Sequence, residues 1–384
     1  MLKEETEKRL KGLTEKLKEK NLKACLISST LNIYYFTGLW VKGLLLVSER
    51  PILFLKRPML TLEPGISLEI RYLQSLKELP SLLEEAGLKG IGLEFGAFSY
   101  TEGQKIKDLL STSFEVEPID ELIWELRMIK SASEISYLKK AGRMLARALR
   151  KALRNFYPGM RELKASAELE KALRELGHPG YTRSANGFEL TFGYLISGKE
   201  GLYPIPFTTG EGGRGVAGFP GGASIKPLRR GEPILIDFSG FYRGYYVDQT
   251  RMASFGKVKE AEPFFKLSLR ILETLEREAR PGMPCGELFT RAFELVKQEG
   301  LEEYFMHHGE RLSFIGHGVG LQIDEPPVLT PKNKVSLREN MVLALEPKFH
   351  VPELGVIGLE DTFVVTKRGL KRITTFPRKW LYLD

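Results

Sequence analysis

Five residues in the second half of the chain are of types that could share one chemical task. Asp237 and Asp248 flank a turn in "EPILIDFSGFYRGYYVDQTRMASF". A tight turn at Tyr242-Arg243 would set the two aspartates opposite each other. Opposed acids on an antiparallel pair lie ~5 Å apart and repel, and Asp is a poor strand former. A divalent metal between them resolves the conflict; frayed strand ends facing water would resolve it too. Glu346 ends the apolar run in "NMVLALEPKF", and Glu360 sits in "GVIGLEDTFVVT", so each is a carboxylate in a strand-like hydrophobic stretch. Such groups are almost never fully buried unless paired. His317 stands between Gly316, Gly318 and Gly320 in "FIGHGVGLQIDEPPVL". These glycines point to close backbone approach, or only to a tight turn. Four carboxylates carry four negative charges, which two divalent cations would neutralise. Oxygen donors with one nitrogen suit Mn, Fe(II), Co or Zn. Two such ions ~3.5–4 Å apart activate a water and polarise a carbonyl.

The elements that would position these residues repeat. Ser131 and Glu134 form a capping box before a long helix. Pro158-Gly159-Met160 and a second helix ending at Gly177 follow. The same order recurs through "FFKLSLRILETLEREAR", Pro281-Gly282-Met283 and a helix ending at Gly300. Both landmarks are displaced by 123 residues, from Pro158 to Pro281 and from Gly177 to Gly300. A shared offset predicts a duplicated helix-turn-helix unit in which each copy feeds β-structure. Upstream, "KACLISS", "GLLLVSE", "PILFLK" and "GIGLEF" read as short buried strands with helical stretches between some of them, an α/β pattern. The expected boundary separates residues 1–127 from residues 128–384.

The set Asp237, Asp248, His317, Glu346, Glu360, in that order, resembles the ligand set of the pita-bread metallopeptidases. That family includes methionine aminopeptidase, Xaa-Pro aminopeptidase, prolidase and the non-metal relative creatinase. "IDFSGFYRGYYVDQTR", "GHGVGL", "LALEPKF" and "GLEDTFVVT" are similar to its ligand motifs, and "LNIYYFTGL" and "LRMIKSASEISYLKKA" to its two-domain branch. The resemblance implies an α+β fold, with an N-terminal creatinase-like α/β domain and a C-terminal pita-bread domain of pseudo-twofold design. It also implies two divalent metal ions, Glu346 as proton shuttle for a bridging water, and a homodimer. An Xaa-Pro aminopeptidase or dipeptidase acting on a peptide or small amide is the leading expectation.

The chain departs from the prolyl-specific members around this set. Ile205, in "SGKEGLYPIP", aligns with a histidine that they carry, and Asp324 and Gly358 align with a second histidine and an arginine. Such groups orient substrate and stabilise the oxyanion, each worth ~10²–10³ in rate where it acts. Tyr203, Ile205 and Asp324 are therefore candidate substrate-binding residues. Asp324 would recognise a cationic or polar group, or else cap the turn before Glu325-Pro326-Pro327. The glycine-rich "FTTGEGGRGVAGFPGGASIKPLRRGE" reads as a mobile wall of the site. An enzyme of the same fold on a non-peptide substrate, and a non-catalytic binding protein, are the alternatives.

Bulk properties narrow the classes. A chain of 384 residues suits two domains. The net charge of +8 comes from Lys and Arg spread among Glu rather than from a basic stripe, so no nucleic-acid partner is expected. No apolar run approaches the ~20 residues of a bilayer span. The start "MLKEETEKRLKGLTEKLKEK" reads as an amphipathic helix and lacks a signal-peptide core. Cys25 and Cys285 form no disulfide framework, which predicts a cytoplasmic protein.

Overall fold

The structure is a computed structural model and describes residues 3–55, 68–84, 88–187, 189–205, 211–308 and 310–383. The chain divides into two compact units, Met1–Arg127 and Met128–Asp384.

The first unit is built on a six-stranded sheet. Its order is Glu69–Tyr72, Ile52–Leu55, Gly43–Val47, Cys25–Ile27, Gly90–Leu93, Glu115–Pro118. The strand read in "PILFLK" covers Ile52–Leu55, and its Lys56 lies outside the described residues. Short apolar strands suit a sheet covered on its faces, and Leu26, Leu46, Phe54 and Leu93 form its core. "LNIYYFTGL" is the helix Thr30–Thr37 with its Gly38 cap. The buried Glu94 carboxylate accepts hydrogen bonds from Ser28 N, Ser29 N and Asn32 Nδ2, and so anchors the start of that helix.

The second unit contains the repeat. The first copy holds helices Ala132–Ala152 and Glu162–Glu175, strand Gly193–Ser197, and the hairpin Ile234–Tyr242 with Tyr245–Ser254. The second holds helices Glu262–Glu278 and Cys285–Gln298, then strands Gly316–Gly318, Val342–Leu345 and Asp361–Thr366. Each copy ends in a four-stranded sheet built on antiparallel strands, closed by Leu381–Tyr382, which pairs parallel with Tyr245–Ser254, in one sheet and by the antiparallel Gly369–Arg372 in the other. The correspondence extends to single bonds. Gly159 N donates to Leu228 O at 2.8 Å, and Gly282 N donates to Leu337 O at 2.8 Å. Gly193 and Gly316 occupy equivalent edge-strand positions, where a Cβ would fall 2.1 Å from Asp237 O and 2.0 Å from Ala344 O. Both glycines are thus steric requirements of the neighbouring strand, and both lie beside site residues.

Two expectations about backbone are corrected. The hairpin turns at Arg243-Gly244, with φ of 47° and 91°, not at Tyr242-Arg243. Positive φ at both central residues is the type I′ geometry that matches strand twist. Asp237 therefore pairs with Thr250, and Asp248 with Ser239. The aspartates share a face of the sheet diagonally rather than standing opposed. Nor do Glu346 and Glu360 lie inside strands. Glu346 falls between Val342–Leu345 and Lys348–Val351, and Glu360 between Gly355–Gly358 and Asp361–Thr366. At Glu346 the chain leaves the four-stranded sheet for a two-stranded ribbon, and at Glu360 it returns from the ribbon to the sheet. A side chain at such a break is released from the pleat and can aim into the site.

Candidate metal centre

The hairpin delivers Asp237 and Asp248, the three-residue strand Gly316–Gly318 delivers His317, and the two strand breaks deliver Glu346 and Glu360. Ligand atoms of Asp248, His317 and Glu360 all lie within 4.8 Å of one another. His317 is held tightly. A Cβ on Gly318 would come within 2.2 Å of Pro326 O, so the glycines around the ring do serve close backbone approach. His317 Nδ1 lies 3.1 Å from Gly318 O. A proton donated there leaves the Nε2 lone pair for the site. Nε2 is 3.4 Å from Glu346 Oε1.

These residues fit a divalent ion on two grounds. The donor chemistry is two carboxylates and an imidazole. Glu360 Oε1 is buried and has no hydrogen-bond partner among the described residues. An orphaned buried oxygen is costly, and a cation beside it removes the cost.

Asp237 and the opposite side of Glu346 face something else. Lys348 Nζ lies 2.8 Å from Asp237 Oδ2, 3.0 Å from Glu346 Oε2 and 3.7 Å from Glu360 Oε2. A further acid, Glu211, places Oε2 2.5 Å from the same nitrogen. Thr250 Oγ1 stands 2.8 Å from both Asp237 Oδ2 and Glu360 Oε2. Neither Lys348 nor Glu211 was picked out from sequence. Lys348 was legible in principle: it follows Glu346 by two residues in an otherwise apolar run. Glu211 is an acid in a glycine-rich segment and gives no such signal.

Charges in the cluster shift one another. Burial, with neighbouring aspartates adding to it, raises Glu211, Asp248 and Glu360 well above the usual carboxylate range. Burial also opposes ionisation of Asp237 and Glu346, but it is outweighed. The Lys348 ammonium, with hydrogen bonds, lowers Asp237 to about 2. Lys348 and His317 together hold Glu346 below its ordinary value. His317 is disfavoured as a cation by burial, yet Glu346 and Asp248 raise it to about 9. A proton and an ion compete for its Nε2.

The group opens on a cavity of ≈ 540 Å³. Its polar floor is the cluster just described, and its walls include Leu190, Phe192, Tyr194, Phe314, Ile323 and Val328.

Comparison with known proteins agrees with this geometry. Residues 136–367 match the model of metallopeptidase family M24, and residues 9–129 match the creatinase/prolidase N-terminal domain. The chain belongs to metallopeptidase family M24. The Xaa-Pro dipeptidase of Pyrococcus furiosus is 28% identical over 382 residues, covering 97% of this chain and 99% of the relative. The solved prolidase of Pyrococcus horikoshii OT3 superposes with a TM-score of 0.80 at 27% identity, covering 97% of this chain and 99% of that one. The X-Pro aminopeptidase of Thermotoga maritima MSB8 gives a TM-score of 0.80 at 26% identity, covering 94% and 98%. The fold is thus the mixed α/β two-domain form, a creatinase-like N-terminal domain followed by the M24 domain.

Within this M24 domain the three tentative substrate residues divide. Asp324 lines the cavity, but both its oxygens are engaged. It accepts from Ser184 Oγ at 2.6 Å, Ala185 N at 2.5 Å and Asn186 Nδ2 at 2.9 Å. It fastens a wall segment rather than offering a free carboxylate to a cationic group. Tyr203 and Ile205 are not among the residues lining the cavity. The chain bends away through a 3₁₀ turn at Gly198–Leu202. Tyr203 is then 45% exposed beneath the Arg214 guanidinium, and Ile205 borders Gly221.

The glycine-rich segment is also more ordered than the mobile wall expected of it. Residues 206–210 lie outside the described part, but from Glu211 onward the chain folds back on itself. Gly221 N donates to Gly213 O, and Gly222 N to Gly212 O, both at 3.1 Å. This ribbon carries Glu211 to Lys348. Among the described residues His317 alone of the histidines lines the cavity. His178 stacks on Phe192, and His350 Nδ1 accepts from His307 N. In "MHHGERLSF", residue 309 lies outside the described part.

Behind the acids, Arg251 and Asp361 form a fully buried pair at 2.7 Å. Arg251 Nη1 also donates to the carbonyls of Thr250 and Glu360, and so ties the two strands that present Thr250 and Glu360.

Proposed function

We propose that this M24 enzyme is a metal-dependent exopeptidase that cleaves Xaa-Pro bonds in short peptides, as a dipeptidase first and an aminopeptidase second. One observation carries the reading. Asp248, His317 and Glu360 converge at the floor of a cavity with Glu346 beside them. The names of the Pyrococcus and Thermotoga relatives support the substrate class.

Asp248, His317 and Glu360 hold the ion, for which Mn, Co, Zn or Fe(II) are suited. When bound, the ion supplies Lewis-acid polarisation of the scissile carbonyl and makes water a stronger nucleophile. Glu346 takes the proton of the attacking water and returns it to the leaving nitrogen, as general base and then general acid. Its two oxygens face His317 and Lys348, which keep it ionised between turnovers. Tyr194 lines the cavity with a buried hydroxyl that has no hydrogen-bond partner among the described residues. That hydroxyl donates to the developing oxyanion, a role for which this chain has no second histidine. Phe192, Phe314, Ile323 and Val328 form apolar walls suited to a proline ring and its neighbour. The volume falls within the ~300–1,000 Å³ of small-ligand sites.

The enzyme works as a homodimer in a reducing cytoplasm, a reading supported by the family resemblance and by the buried, unpaired Cys25 and Cys285. Among the described residues no helix is long and apolar enough to cross a membrane. The readings as an enzyme on a non-peptide substrate and as a non-catalytic binding protein draw no support from the named relatives, which are peptidases.

The test uses the full chain stripped by chelator and reloaded with Mn, Co or Zn. Product release is followed from Xaa-Pro dipeptides, Xaa-Pro tripeptides, other dipeptides and simple amides. Metal-dependent release of proline from dipeptides in excess of the other substrates is expected. Turnover confined to non-peptide amides would contradict the reading.

A further inference from the structure

The site contains a cation supplied by the chain itself. Lys348 Nζ has three N–H donors and three carboxylate oxygens at hydrogen-bond distance: Glu211 Oε2 at 2.5 Å, Asp237 Oδ2 at 2.8 Å and Glu346 Oε2 at 3.0 Å. Glu360 Oε2 adds charge at 3.7 Å. The side chain is 1% exposed. Its backbone is pinned: Lys348 pairs with Gly358 across the ribbon, and its carbonyl accepts from Met306 N at 3.0 Å. The ammonium is therefore a built part of the site, not a surface side chain that has folded inward.

Two groups of donors can be separated. Asp248, His317 and Glu360 offer ligand atoms within 4.8 Å of one another, and Glu360 Oε1 has no hydrogen-bond partner among the described residues. Asp237 Oδ2, Glu346 Oε2 and Glu360 Oε2 face Nζ. A transition-metal ion held by those oxygens would sit ~2.0–2.2 Å from each, inside the space that Nζ fills at hydrogen-bond distances. An ammonium and a divalent ion cannot share that space. Driving the ammonium out would leave a buried lysine without its partners, at the high cost of an unpaired interior charge.

We propose that the Lys348 ammonium permanently fills one of the two cation positions that this set of acids would otherwise offer, so that each chain binds one divalent ion, at Asp248, His317 and Glu360. The inference rests on the metal-dependent reading above. It assigns Lys348 as a positioning residue that holds Asp237 and Glu346, and Glu211 as a third oxygen acceptor for its ammonium. Chelation removes only the cation at the histidine side. The fixed charge on the Asp237 side stays.

The experiment is ion stoichiometry, read without reference to turnover. The full chain is loaded with Mn(II), freed of excess by gel filtration and measured by elemental analysis and electron paramagnetic resonance. Native protein is expected to carry one Mn per chain with the six-line spectrum of an isolated ion. Lys348→Ala, which removes the ammonium, is expected to carry two, with the spectrum of a spin-coupled pair. Lys348→Arg, which keeps a charge there, is expected to carry one. Two coupled ions in the native chain would overturn the inference and leave the peptidase reading standing. No bound ion in the native chain would overturn both. Should Lys348→Ala fail to fold, the native stoichiometry and spectrum decide alone.

Discussion

Lys348 and Gly358 face each other across the two-stranded ribbon, and the glycine leaves room for the lysine stem. A Cβ on Gly358 would lie 2.8 Å from Lys348 Cγ, 2.9 Å from its Cα and 2.7 Å from Pro347 O. The missing side chain at 358 and the lysine in the acid cluster are thus one structural feature. Gly358→Ala should shift the ribbon and with it the ammonium. Overpacking of this kind costs ~1–3 kcal/mol. Urea denaturation should show that loss, and an unchanged midpoint would mean that the ribbon yields freely.

Asp324 supports a wall rather than a substrate charge. Its three hydrogen bonds to Ser184, Ala185 and Asn186 close one side of the cavity. Bonds to a charged acceptor are each worth ~1.5–3 kcal/mol. Asp324→Ala should loosen that segment, raise KM about tenfold and leave the ion content as it was. Hydrogen exchange at residues 184–186 should quicken. A lost preference for substrates with a free amine, with exchange unaltered, would restore the cation-recognition role.

The acids that gather at the cavity floor were legible in the sequence because an acid in an apolar run is expensive wherever it is buried. Asp237, Asp248, Glu346 and Glu360 all broke that pattern, and the recurrence of Pro158 and Gly177 at Pro281 and Gly300 announced the repeat that gathers them. The hairpin register was not legible. It depends on Arg243 adopting positive φ, which no arginine advertises. The strand breaks at Glu346 and Glu360 were hidden because residues on both sides are equally apolar. Glu211 reaches the site through bonds between glycines about ten residues apart, which no local pattern encodes. Residues two apart on an extended chain share a face, so a lysine two after a buried glutamate pointed the same way.

Tyr194 is the candidate oxyanion donor, since its hydroxyl is buried at the cavity wall with no hydrogen-bond partner among the described residues. Loss of one such donor typically costs ~10²–10³ in rate. Tyr194→Phe should lower kcat by that order with KM and ion content little changed. Steady-state kinetics on the best dipeptide checks this, and an unaltered kcat would remove the assignment.

His178 gives the second unit a defined acid sensitivity. Gly180 N donates to His178 Nδ1 at 3.2 Å, and Nε2 faces Ser239 Oγ at 3.3 Å, so the ring is held neutral. Burial, with the Arg174 charge adding to it, lowers its pKa from 6.5 to about 4. The unfolded chain takes up this proton as pH drops below 6.5, and the folded chain does so only near 4. Stability from this group is complete above 6.5 and is lost as pH falls through that window, at ~1.4 kcal/mol per unit. Denaturation of native protein and of His178→Gln between pH 7 and 4 should converge by about 3 kcal/mol. Parallel curves would show that the ring is not held neutral.

In the proposed reading Glu346 separates ion binding from proton transfer: one of its oxygens faces His317 and the other Lys348, while Asp248, His317 and Glu360 are the group that could hold the ion. The direct measurement is hydrolysis of an Xaa-Pro dipeptide by ion-loaded native protein and ion-loaded Glu346→Gln, with ion content determined on the same samples. Equal ion content and a kcat reduced ~10²–10⁴-fold are predicted for the variant. A variant that turns over at the native rate, or loses activity only in proportion to lost ion, would contradict the assignment of this cluster as the hydrolytic centre.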